Sequence, residues 1–113
     1  LDKAMENFNQ VIAIDPNYAP AYNGRGLVQD RFQQFEKAIN DFSMAVKLDP
    51  SNPVHLHNRG CCYRNMGEMK KSIRDFDEAI KLDDQNPSIY SNRGLVNRKL
   101  ERFESAISDY TNE

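Results

Sequence analysis

Apolar and small residues recur along this chain at helical spacing. From position 35 they fall at Phe35, Ala38, Ile39, Phe42, Ala45, Val46 and Leu48, an i, i+3, i+4, i+7 stripe that an α-helix gathers onto one face. Tyr22, Gly26 and Gln29 precede it at the same spacing, and Leu56, Gly60 and Tyr63 follow. Asp15-Pro16 and Asp49-Pro50 mark helix ends, because proline disfavours the helical conformation in the residue before it. Asn52-Pro53 and Asn86-Pro87 place a capping side chain ahead of a proline suited to a first turn. The spacing predicts seven helices, over 1–14, 19–32, 35–48, 53–66, 69–82, 87–100 and 103–113.

Shifted by 34 positions, the chain matches itself. Ala4, Ala38, Ser72 and Ala106 fall in register, as do Phe8, Phe42, Phe76 and Tyr110. Arg25, Arg59 and Arg93 align, each followed by a glycine (Gly26, Gly60, Gly94). A mid-helix glycine costs roughly 1 kcal/mol relative to alanine, so its recurrence implies a packing need. The missing side chain makes room for the ring of the following helix, Phe42, Phe76 or Tyr110. Neither helix of a pair can bury its stripe alone, so the units must stack.

The succession Tyr22, Gly26, Phe35, Ala38, Phe42, Ala45 and Pro50 resembles the tetratricopeptide repeat. So does Leu56, Gly60, Tyr63, Gly67, Ser72, Phe76 and Ala79, and a third set begins with Tyr90, Gly94, Phe103, Ala106 and Tyr110. The resemblance implies an all-α fold, a right-handed superhelical solenoid of antiparallel helix pairs. On it the chain divides into a second helix of a preceding unit (1–18), units at 19–52 and 53–86, and a truncated unit at 87–113. It departs from the family pattern at Arg25, Arg59 and Arg93, which replace a leucine, at Gln29 and Asn97, which replace an aromatic, and at Asp84, which replaces proline.

The family binds extended peptides on its concave face, lined by the first helix of each unit. The lining positions implied here are Asn23, His57 and Ser91; Asn58 and Asn92; Leu27, Cys61 and Leu95. A basic rim follows with Arg31, Arg64, Arg98 and Lys99, beside Asp30 and Asn65. Asparagine offers both donor and acceptor, so it can hold a peptide backbone without reading side chains. Co-chaperones of the family clamp a terminal carboxylate with a set of Lys, Asn and Arg. The matching places here hold Asn23, Leu27, Asn58, Ser88 and Asn92, and Asn58 alone conforms, which argues against a carboxylate clamp.

Composition narrows the picture further. The 113 residues are 39% apolar and 28% charged, with a formal charge of −2, so there is no general attraction to nucleic acid. No apolar run approaches the roughly 20 residues of a membrane span. Cys61 and Cys62 are neighbours, about 100° apart on a helix, which makes a disulfide between them unfavourable. Reduced thiols and an intracellular setting, the cytoplasm first, are expected. His55 and His57 face different ways and have no third ligand, so no metal, cofactor or catalytic centre is expected.

Asp41, Asp75 and Asp109 lie sixteen residues beyond Arg25, Arg59 and Arg93, which predicts an Arg–Asp pair joining the two helices of each unit. The chain is read as a non-catalytic protein-interaction scaffold for a protein or peptide partner. Its rivals are the substrate-recruiting arm of a larger enzyme such as a glycosyltransferase, and a structural subunit of an assembly. Both ends cut a unit, so a fragment of a longer array is expected. Leu1, Met5, Phe8 and Ile12 at one end, and Phe103, Ala106, Ile107 and Tyr110 at the other, would then promote end-to-end self-association.

Overall fold

A computed structural model describes the backbone of residues 2–111 and the side chains of residues 3–104. Six helices follow one another: α1 (Asp2–Ile14), α2 (Ala19–Arg31), α3 (Phe35–Leu48), α4 (Pro53–Met66), α5 (Met69–Leu82) and α6 (Pro87–Thr111). Each packs on the next, and α2, α4 and α6, the first helices of the units, also touch along one side. The radius of gyration is 16.0 Å, against ~13 Å for a compact globule of this length. The elongation is that of a stacked helical solenoid.

Local chemistry sets the helix ends. Asn52 accepts from the backbone N–H of Val54 at 3.0 Å, and Asn86 from that of Ser88 at 3.0 Å, each satisfying an orphan donor of a first turn. The turns inside the units pass through a left-handed residue, Gln33 (φ 62) and Gly67 (φ 83). There the N–H of Gln34 reaches Gln29 O and that of Glu68 reaches Tyr63 O, both at 2.8 Å, closing the helix as a Schellman-type cap.

The expected break between helices at 87–100 and 103–113 is absent, since α6 runs unbroken to Thr111. Glu101 occupies the register of Gln33 and Gly67. Gln33 and Gly67 adopt the left-handed conformation there, whereas Glu101 stays helical.

The recurring glycines do admit aromatic rings. A Cβ on Gly26 would lie 2.8 Å from the Phe42 ring, and one on Gly60 2.7 Å from Phe76. Gly24 meets the ring of Phe8 in the same way. Because α6 does not fold back, Gly94 has open space around it; Tyr110 lies outside the described side chains. Ala38, Phe42, Ala45, Phe76 and Ala79 are fully buried, and so is Ser72. The Ser72 hydroxyl takes the alanine place of the repeat at no loss, donating to Gly60 O at 2.7 Å.

At the N-terminal end Met5, Phe8 and Ile12 are half-buried, because Phe8 turns onto Gly24 and Ile12 packs near Ala19 and Tyr22. Val11 and Ile14 are the exposed apolar residues there. Leu1, Ala106, Ile107 and Tyr110 lie outside the described side chains, and Phe103 is exposed.

The arginines do more than join two helices. Arg25 donates Nε and Nη2 to Asp41 at 2.7 and 2.8 Å, while its Nη1 donates to Asn9 of α1 at 2.8 Å. Arg59 repeats this with Asp75 at 2.8 Å twice and Ser43 of α3 at 3.1 Å. Arg93 donates Nη1 to Asp77 of α5 at 2.9 Å; the expected partner Asp109 falls outside the described side chains. Each arginine therefore also reaches the second helix of the preceding unit, sixteen residues back, a contact the sequence did not suggest.

Two outcomes follow for urea unfolding. Gly26→Ala and Gly60→Ala should each lose about 1–3 kcal/mol through overpacking, whereas Gly94→Ala should gain up to ~1 kcal/mol of helix propensity; equal effects at the three sites would contradict the packing described. A double-mutant cycle on Arg59 and the buried Asp75 should give a coupling of roughly 2–3 kcal/mol, and one on the more exposed Arg93 and Asp77 less than about 1 kcal/mol.

Candidate functional site

The first helices α2, α4 and α6 bring six of the predicted lining residues, Asn23, His57, Asn58, Cys61, Arg64 and Asn92, into hydrogen-bonding contact with one another. Asn58 Nδ2 donates to Asn23 Oδ1 at 2.8 Å, Asn92 Nδ2 meets His57 Nε2 at 2.9 Å, and Asn65 Nδ2 donates to Asp30 Oδ1 at 3.2 Å. All three rungs join residues 35 apart rather than 34. Neighbouring first helices are thus offset by one residue, so the position three before the glycine meets the position two before it in the next unit. Asp30 and Asn65 were placed at the margin by the sequence, and the structure makes them a rung.

Arg64 fixes the orientation of the central network. Its Nη1 donates to Asn92 Oδ1 at 2.9 Å, and a guanidinium can only donate. Asn92 must therefore turn its NH₂ towards His57, so Nε2 accepts and the imidazole proton sits on Nδ1. The same NH₂ reaches Cys61 Sγ at 3.6 Å. Burial, aided by the Arg64 charge, pushes the His57 pKa below its ordinary value, consistent with a neutral acceptor.

Leu27 and Leu95 remain exposed on either side of the half-buried Cys61. Ser91, Arg31, Arg98 and Lys99 are exposed as well. Gly24, which interrupts the asparagine series, is explained by Phe8 of α1, whose ring leaves no room for a side chain. The first helices thus carry exposed leucines, amide rungs and cations.

Burial raises the pKa of Cys61, and that of Cys62 to about 12, so neither thiol is a ready nucleophile. Both cysteines are free. Among the described residues no group of three or more His, Cys, Asp or Glu is arranged to hold a metal, and no helix is long and apolar enough to cross a membrane.

His55 is a different case. It occupies the register of the buried Ala21 and Ile89, is 3% exposed, and has no hydrogen-bond partner on either ring nitrogen. Asp49 Oδ2 stands 3.6 Å from Nε2, beyond hydrogen-bond reach. Desolvation outweighs the attraction of Asp49 and lowers the His55 pKa.

Stacked helix pairs that present one continuous face of first helices define a helical-repeat solenoid of the kind that docks other chains. The Tetratricopeptide repeat profile matches residues 19–52 and 54–86, and a TPR repeat profile matches residues 1–31. The chain belongs to the tetratricopeptide repeat family. Among solved structures it is similar to the first TPR of Spaghetti (RPAP3) bound to the HSP90 peptide SRMEEVD, at TM-score 0.85 and 19% identity, covering 88% of this chain and 79% of that one. It is similar also to the second TPR domain of human RPAP3 in complex with the HSP70 peptide SGPTIEEVD, at TM-score 0.78 and 22% identity, covering 82% and 78%. The Sgt2 TPR domain from Aspergillus fumigatus matches at TM-score 0.86 and 20% identity, covering 92% and 70%. These identities carry the fold and nothing finer. No curated protein matches the chain in sequence.

Acid should weaken this fold in a defined window. His55 and His57 have folded pKa values below the ordinary ~6.5, so the unfolded chain binds their protons first. The stability they permit is full above pH ~6.5 and is lost as pH falls from there towards the folded values. Thermal unfolding should show a midpoint that drops between pH 7 and 5.5, and His55→Leu should flatten that slope. An unchanged slope in the variant would remove His55 from the account.

Proposed function

We propose that the chain is a non-catalytic interaction scaffold that holds an extended, acidic segment of a partner protein along the concave face of α2, α4 and α6. The observation that carries this reading is the concentration on one face of two exposed leucines, the asparagine rungs and a basic edge. Leu27 and Leu95 supply apolar footholds, with Cys61 between them. Asn23, Asn58 and Asn92 retain amide hydrogen-bonding capacity beyond the rungs they form, suited to a peptide backbone. Arg31, Arg64, Arg98 and Lys99 provide positive charge, which favours acidic residues and speeds their capture. His57 and Ser91 complete the lining. The free thiols suit a reducing, cytoplasmic setting.

The two RPAP3 domains bind peptides ending in EEVD, and this chain shares their fold. It does not share the usual carboxylate-holding set: Leu27 and Ser88 stand in two of those places, and Asn58 is tied to Asn23. The segment bound here is therefore an internal one.

Heptapeptides selected against the chain from a random library test this. The selected peptides should be acidic and should bind within about twofold equally as free acids and C-terminal amides. Asn58→Ala/Asn92→Ala should weaken them at least tenfold, a loss of ~1.4 kcal/mol or more. Undiminished binding to the double variant would assign contact to another surface, as in a structural subunit. A strict need for the free carboxylate would restore a clamp.

A further inference from the structure

The repeats act as internal controls for one another, and the unit at 53–86 departs from its neighbours at several places, three of them near the turn between α4 and α5. Tyr63 stands where the neighbouring units have Gln29 and Asn97, Lys70 where they have Glu36 and Glu104, and Arg74 where they have Asn40 and Ser108. Repeat packing does not require the two cations, since the unit at 19–52 packs with Glu36 and Asn40 in their places. Two of the three changes, Tyr63 and Arg74, meet at the junction of α4 and α5, where Arg59, Tyr63, Lys71, Arg74 and Asp75 line a crevice of about 160 Å³.

The charge in this crevice is unbalanced. Both oxygens of Asp75 are held by Arg59 at 2.8 Å, so that pair is neutral and forms the floor. Lys71 and Arg74 are exposed and, among the described residues, neither they nor Lys70 forms an ion pair. Lys70 and Arg74 are four apart on one helix, where like charges repel. The Lys71 ammonium lies 5.7 Å from the centroid of the Tyr63 ring, and the Arg59 guanidinium lies 6.0 Å from it. The ring thus holds Lys71 at the crevice mouth by a cation–π contact.

At 3.6 residues per turn, Arg59 and Tyr63 share a face of α4 roughly opposite Asn58 and Cys61. The crevice is separate from the peptide face.

We propose that this crevice binds a phosphate monoester, with Lys71 and Arg74 donating charge-assisted hydrogen bonds to its oxygens. Two uncompensated cations match the charge of about −1.5 to −2 that such a group carries at pH 7. The Arg59–Asp75 pair walls the base without adding net charge. The same chemistry is offered by free phosphate and by a phosphorylated serine of a partner.

Amide NMR titrations of the whole chain test the site, with inorganic phosphate, N-acetyl-phosphoserine amide, dimethyl phosphate, and sodium chloride at matched ionic strength. Phosphate and phosphoserine should give saturable shifts at Tyr63, Lys71 and Arg74, and none at the register-equivalent Gln29, Lys37 and Asn40. Tighter binding of phosphoserine would mark a protein-borne group as the source, and tighter binding of phosphate the free ion. Dimethyl phosphate, with a single charge, should bind at least tenfold more weakly. Lys71→Ala/Arg74→Ala, both at exposed positions, should abolish saturation while leaving the remaining spectrum in place. Linear shifts, equal shifts with chloride, equal affinity for the diester, or unchanged binding in the double variant would each overturn the proposal.

Discussion

A repeat arginine shared among neighbouring helices is the constraint on which this solenoid turns. Arg25 and Arg59 each fork onto a nearly buried aspartate in their own unit and extend a third N–H to the unit before. A charge placed this deep is tolerable only if its hydrogen bonds are met, so the helices on either side cannot slide independently. An aromatic ring covers each guanidinium: Tyr22 over Arg25, Tyr63 over Arg59, Tyr90 over Arg93. Where the middle unit carries Leu56 in place of the preceding tyrosine, Tyr63 approaches from the next turn instead. Hydrophobic burial brings the helices together, and the arginines decide in which register.

That fixed register gives the separate helices one shared face. Side chains on α2, α4 and α6 meet with a one-residue offset, and the rungs they form hold the amides in place. Under the proposed function, this preorganisation lowers the entropic cost of docking a flexible segment. It also leaves Leu27 and Leu95 uncovered, since polar rungs rather than apolar contacts join the first helices on this side.

Much of the fold was legible in the sequence because the 34-residue period repeats its chemistry. Helix positions 19–31, 35–48, 53–66 and 69–82 followed from Gly, Pro, Asn and the aromatic spacing to within a residue. Two of the Arg–Asp pairs followed from a constant separation. The unbroken α6 did not: Glu101 holds the register of Gln33 and Gly67, and a hydrophobic pattern does not record whether that residue turns or stays helical. The rungs of the candidate site were hidden for another reason. A self-comparison at the repeat period aligns equivalent positions, whereas these bonds join non-equivalent ones a residue further on. The lining residues could be named, but not which of them hold each other. The orphan His55 was likewise hidden, since its register-mates are apolar.

The one-residue offset makes the units directional parts rather than interchangeable ones. The unit beginning at 53 could follow itself, for His57 of one copy would meet Asn58 of the next as acceptor and donor. The unit beginning at 19 could not, because Asn23 would face Gly24 and the rung would vanish. Gly24 in turn needs the ring of Phe8 beside it. Repeat order is therefore written into the side chains. A gene that grew by duplicating such blocks could copy the block at 53–86 in tandem far more readily than the block at 19–52, and shuffling the blocks would break bonds that no single block contains.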